Sequence, residues 1–152
     1  MKKNQGFSLV ELIVVIAIMA VLVGVLAPAY LRYVEKSRKS TDVSSISDIL
    51  AAAEKVAIDP QFDLAAGAKF KLSGTGTLTM TVTNGTTDTA ADNALAEWKA
   101  IAGASYTCKS KEFKAEAMSF EGTLNAQGAV SWSITAAKLL AFSPDFQKKW
   151  QS

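Results

Sequence analysis

Carboxylates supply most of the reactive chemistry open to this chain, because its 152 residues contain no histidine and a single cysteine, Cys108. Metal centres and nucleophile–base pairs are built largely from the missing residue types. No G-x-x-x-x-G-K-[ST], G-x-S-x-G, H-E-x-x-H or C-x-x-C motif occurs, and Gly74-x-Gly76 lacks the third glycine and the following helix of a dinucleotide site. Glu54, Asp59, Asp63, Asp88 and Asp92 are scattered without EF-hand spacing. Their expected role is solvation, and no metal, cofactor or enzymatic activity is expected. Cys108 cannot form an internal disulfide and reads as a small buried apolar residue. Asn84-Gly85-Thr86 fits the N-glycosylation acceptor but is equally a natural hairpin turn, which is the expectation here. Trp98, Trp132 and Trp150 stand at strand and helix core spacing, which favours packing over sugar stacking. A net charge of +2 gives no dedicated basic face for nucleic acid.

One acid stands apart. Glu11 directly precedes residues 12–29, about 18 positions without a charge, long enough as a helix to cross a bilayer. A cleaved signal peptide would use Lys2 and Lys3 as its basic end and Ala27-Pro28-Ala29 as its cleavage site. The apolar run exceeds the roughly 7–15 residues of a signal core, and a carboxylate at its edge is unusual there. A plain anchor meets a different difficulty. Arg32, Lys36, Arg38 and Lys39 outnumber Lys2 and Lys3, so charge counting would keep the C-terminal part inside. Locally, Ser8-Leu9-Val10-Glu11 fits a capping box. Pro28 removes an N–H and crowds the carbonyl of Gly24, so Gly24 and Pro28 are expected to form a helix hinge.

The run Gly6-Phe7-Ser8-Leu9-Val10-Glu11-Leu12-Ile13 closely resembles the type IV prepilin signature. That resemblance implies cleavage after Gly6 by a prepilin peptidase and methylation of the new Phe7 amine. It also implies that Glu11 directs subunit assembly by pairing with the Phe7 amine of a neighbouring subunit. The expected product is a homo-oligomeric filament raised by a pilus assembly platform and its ATPase machinery. The subunit would be a single-pass membrane protein before assembly, with its C-terminal part outside the cytoplasm, and an extracellular pilus component afterwards. The short basic leader looks like the type IVa class, and the likeness covers roughly residues 2–57. The absence of two C-terminal cysteines makes the chain look more like pilins of Gram-positive bacteria. Cell adhesion, twitching motility and DNA uptake are all compatible with the signature. The competing reading is a pseudopilin of a type II secretion system, for which an acidic C-terminal calcium loop would speak; residues 143–152 hold only Asp145.

These residues need a long helix and a head to carry it. After Pro28 the apolar positions Leu31, Val34, Ile46, Ile49, Leu50, Ala53, Val56 and Ala57 fall mostly three and four apart, an amphipathic continuation that Asp59-Pro60 stops. Phe70 and Leu72, a Gly74-Thr75-Gly76 turn, then Leu78, Met80 and Val82 predict a hairpin with one buried face. Asp88 or Thr89 would cap a helix carrying Leu95, Trp98, Ile101 and Ala102 and ended by Gly103. Tyr106 with Cys108, Met118 with Phe120, and Val130, Trp132 and Ile134 alternate with period two, separated by Gly122 and Gly128, as in a half-buried antiparallel meander. Leu139, Leu140 and Phe142 would close that core. Ser143-Pro144 would open a last helix with Phe146 and Trp150 on one face. The expected fold is α+β: a leader at 1–6, a membrane or filament-core helix at 7–29, its amphipathic continuation at 30–58, and a β-sheet head at 59–152.

Overall fold

The computed structural model describes residues 8–85 and 88–150, and the chain forms two compact units, Met1–Lys36 and Ser37–Ser152. A single helix, α1 (Leu9–Ala57, 49 residues), runs through the first unit into the second. From Leu9 to Leu31 its large apolar side chains are all exposed, from Val14 at 50% to Leu9 at 74%, and Val34 is half-buried. Helix α1 is long and apolar enough to cross a membrane. The helix is unbroken across Gly24 and Pro28.

In the second unit α1 turns Ile46, Ile49, Leu50, Ala53 and Val56 inward, a three–four spacing that lays one helical stripe on the core. The stop is local chemistry. Asp59 takes an extended conformation and its side chain accepts from Gln61 N at 2.9 Å, opening a 3-10 turn, Pro60–Phe62, that buries Phe62. Asp63 follows in the left-handed region with φ 47°.

The sheet contains β1 (Lys69–Thr75), β2 (Thr77–Thr83), β3 (Ser105–Thr107), β4 (Ala117–Leu124) and β5 (Val130–Thr135). Its order is β3-β2-β1-β4-β5 and every pair is antiparallel. Alternation sets the register, since a one-residue slip would turn the core face outward. Leu72 lies opposite both Met80 and Phe120, and Phe120 lies opposite Ile134; these four side chains are buried. The opposite face is exposed and rich in hydroxyls, with Thr77, Thr79, Thr81, Thr83, Ser131, Ser133 and Thr135, and a Lys69–Glu121 ion pair at 2.9 Å. Helix α2 (Asp88–Ala102) packs beside β2 and sends Trp98 into the core, edge-on to Phe70 with ring centroids 5.7 Å apart.

The α+β architecture thus follows the sequence expectation, with four local differences. Gly122 is not a separator but lies inside β4, facing the core opposite Trp132 and Phe70. A Cβ there would come within 2.7 Å of Val130 Cγ1 and 2.9 Å of Trp132 Cζ3, so the position is glycine because an indole occupies the space. Cys108 falls just beyond β3 rather than in it. Asn84-Gly85 turns from β2 toward α2 and not between strands; Thr86 lies outside the described residues. Short helices α3 (Lys111–Lys114) and α4 (Ala137–Phe142) join α5 (Pro144–Trp150) along the chain. Neither short helix shows in the pattern, because one turn is too brief to display a period. Filling the Gly122 gap should be costly: Gly122→Val is expected to destabilise the fold by ~1–3 kcal/mol through overpacking against Trp132. The readout is denaturant unfolding followed by tryptophan fluorescence, with Lys71→Val, on the solvent face, as the near-neutral control.

Candidate functional site

The N-terminal end of α1 carries the residues singled out by the prepilin-like signature. Ser8 Oγ accepts from Val10 N at 3.3 Å, and Glu11 Oε2 accepts from Ser8 N at 2.9 Å. This reciprocal pair is a capping box, satisfying two N–H groups that the helix itself leaves without partners. A carboxylate offers about four lone-pair sites, so the bond to Ser8 leaves Glu11 capacity for a further donor. Gly6 and Phe7 lie outside the described residues.

A second acid is the centre of the head. Asp42, on α1, is fully buried, and the composition-level reading of the acids as solvating groups passed over it. Its Oδ1 accepts from the Tyr106 hydroxyl at 2.6 Å and from Lys109 N at 2.8 Å. Its Oδ2 accepts from Ser110 N at 2.8 Å and from Lys109 N at 3.1 Å. A buried carboxylate is tolerable only when hydrogen-bonded on this scale. The segment after β3 supplies those donors because Ser110, itself buried, caps α3 by accepting from Phe113 N at 3.4 Å, which fixes the turn that presents its N–H groups. The only sequence signal for Asp42 was a charged residue four before Ile46 on the buried stripe.

Two neighbours feel this site. Burial pushes the Tyr106 phenol above its ordinary range, with Asp42 adding to the effect and Ser45 opposing it. The Cys108 thiol is buried, as expected, and burial pushes it up to about 11, helped by the charge of Asp42. A nucleophilic cysteine needs the opposite shift, so Cys108 is a packing residue. Two of the acids expected to be solvated have structural places: Glu54 accepts from Trp132 Nε1 at 3.1 Å and Asp59 caps the 3-10 turn. Among the described residues no group of three or more His, Cys, Asp or Glu side chains is placed to hold a metal.

The tryptophans are core residues. Trp98 Nε1 donates to Ile49 O at 2.9 Å, and Trp132 meets Trp150 edge-on at 6.0 Å. Asn84 is buried, and its Oδ1 accepts from Ala65 N at 2.9 Å, bracing the loop that precedes β1. That engagement hides the amide that a glycosylation acceptor must offer.

Comparison with known proteins finds likeness at the N-terminus and to fimbrial proteins. The prokaryotic N-terminal methylation motif matches residues 1–27. Two fimbrial proteins of Pseudomonas aeruginosa are each 29% identical over 126 residues, covering 73% of this chain and 82% of theirs. Fimbrial protein Q of Moraxella bovis is 39% identical over 59 residues, 39% of this chain and 34% of that protein. The expected likeness to pilins of Gram-positive bacteria finds no support in relatives from these organisms. No solved structure matches the chain.

Two outcomes follow from the Asp42 geometry. Asp42→Ala strands the Lys109 and Ser110 N–H groups, and at ~1–3 kcal/mol per buried unsatisfied donor the loss should exceed that of Tyr106→Phe, expected near 1 kcal/mol. Chemical denaturation of the three proteins checks the order. Because the folded thiol and phenol hold their protons to higher pH than the unfolded ones, the native state binds more protons in alkali, and stability should fall as pH rises from 9 toward 11. Cys108→Ala should flatten the lower part of that decline in a pH series of unfolding midpoints.

Proposed function

We propose that this chain is the structural subunit of a type IV pilus, inserted in the membrane by α1, processed at its N-terminus and polymerised into a surface filament. The observation that carries the proposal is a methylation motif over residues 1–27 opening a helix whose apolar side chains are all exposed from Leu9 to Leu31. Such a surface needs lipid before assembly and the helices of other copies after it. The similarity to fimbrial proteins across 82% of their length supports the same reading for the head. The role is structural, and the subunit's working partners are further copies of itself, a prepilin peptidase and the platform and ATPase that extend the filament.

In this reading the peptidase cuts between Gly6 and Phe7 and the Phe7 amine is methylated. Glu11 then pairs with the Phe7 amine of a neighbour in the filament core. The capping box, worth ~1 kcal/mol, uses only part of the acceptor capacity of the Glu11 carboxylate and leaves room for a cation beside it. An α-amine with a reference pKa near 8 is largely protonated at neutral pH, so removal of the leader supplies the missing cation. In the filament Gly24 and Pro28 form the hinge, since proline leaves the Gly24 carbonyl without its helical donor.

Electron microscopy of material sheared from cells, labelled with antibody to this protein, tests the proposal. Labelled filaments are expected; their absence would favour the pseudopilin of a type II secretion system. Intact mass of the filament protein should correspond to a chain beginning at a methylated Phe7. Glu11→Gln keeps the shape and removes the charge, so this variant should insert and fold yet leave the sheared fraction nearly empty. A normal filament yield from it would reduce Glu11 to its capping role.

A further inference from the structure

Two charged positions bracket the apolar part of α1. Glu11 and Arg32 are 21 residues apart in one unbroken helix, which at 1.5 Å per residue is about 31 Å, close to the ~30 Å hydrocarbon thickness of a bilayer. No charge lies between them. The far end is composed differently from the near one. Tyr30 and Tyr33, one turn apart, are 66% and 72% exposed, and Arg32 and Lys36, one turn apart on the adjoining face, are exposed as well. Glu35 is the one acid among them and is partly buried. A helix with its apolar span in lipid places these four side chains in the headgroup layer, where tyrosine rings favour the interface and each basic residue gains about 1 kcal/mol from an anionic surface.

We infer that Tyr30, Arg32, Tyr33 and Lys36 form a collar that binds the phosphate headgroups of anionic phospholipids in the leaflet opposite the leader. This inference rests on the membrane-inserted state proposed above. It also accounts for the charge count, which by the usual asymmetry would hold the basic side of the helix inside: Arg32 and Lys36 find their counter-ions in the far leaflet. The spacing has a mechanical consequence. With the collar fixed in one headgroup layer, Glu11 reaches the opposite boundary and not the hydrocarbon centre, at the depth where the Ser8–Glu11 cap forms. The unassembled subunit is thereby held at one depth with the assembly residue in the polar boundary.

The test is native mass spectrometry of the full chain released from vesicles of phosphatidylcholine with 30% phosphatidylglycerol, counting retained lipids. Preferential retention of phosphatidylglycerol is expected. Removing each charge should weaken it about fivefold, and Arg32→Gln with Lys36→Gln should abolish the preference, while Lys69→Gln with Lys71→Gln, the same charge change on the sheet, should leave it intact. Carbonate extraction of the same vesicles reports insertion separately. A chain that inserts but retains both lipids equally, or whose collar variant keeps the preference, overturns the collar and spares the membrane reading. A chain that fails to insert in any composition overturns both.

Discussion

The first half of α1 carries an apolar surface that water cannot be left to cover. Burying a single Val, Leu or Ile is worth about 1.5–3 kcal/mol, so the exposed side chains from Leu9 to Leu31 together represent tens of kcal/mol. That exceeds the whole stability of an ordinary domain. In the reading proposed above the segment is covered by lipid or by other copies, and this requirement shapes the ends of the helix. Polar groups are confined to the capping box at one end and to the tyrosine and basic residues at the other. The same helix, from Ile46 onward, meets its requirement by a different route, a three–four stripe covered by its own head.

What secures that second route is Asp42. Apolar stripes are non-directional and would tolerate a helix rotated or shifted on the sheet. Four hydrogen bonds from Tyr106, Lys109 and Ser110 to one buried carboxylate do not. They tie α1 to the segment between β3 and α3, and the indole N–H groups of Trp98 and Trp132 add ties to Ile49 O and Glu54 Oε1 further along the helix. Directional bonds in a low-dielectric core give one arrangement a clear advantage over its neighbours. The cysteine and the tyrosine beside Asp42 are held in their neutral forms by the same environment, so they serve the packing and hydrogen bonding that hold α1 in place.

The sheet shows the opposite strategy on its two faces. The inner face is filled by large apolar and aromatic side chains, with Gly122 making room for Trp132. The outer face is clothed in threonine and serine, which have high strand propensity without presenting an apolar patch for unwanted association. In the filament reading proposed above, this separation leaves the helix as the surface that binds other copies.

Much of this was written in local pattern. The unbroken apolar run after Glu11, the Ser8–Glu11 cap, the stop at Asp59-Pro60 and the alternation in β1, β2 and β5 each depend on residues within one or two turns or strands, so spacing alone determined them. The signature at Gly6 to Ile13 and the inward Trp98, Trp132 and Trp150 were equally legible. What spacing could not show were contacts between residues far apart in the chain. Asp42 drew no attention in the sequence, and its role appeared only when the fold placed Tyr106, Lys109 and Ser110 over it. Gly122 looked like a turn until β5 set an indole against it, and Asn84-Gly85-Thr86 looked like a hairpin turn or glycan acceptor until Asn84 turned inward to Ala65. In each case the side chain's role is fixed by a partner from another element, and only the tertiary structure brings that partner within hydrogen-bonding or van der Waals distance.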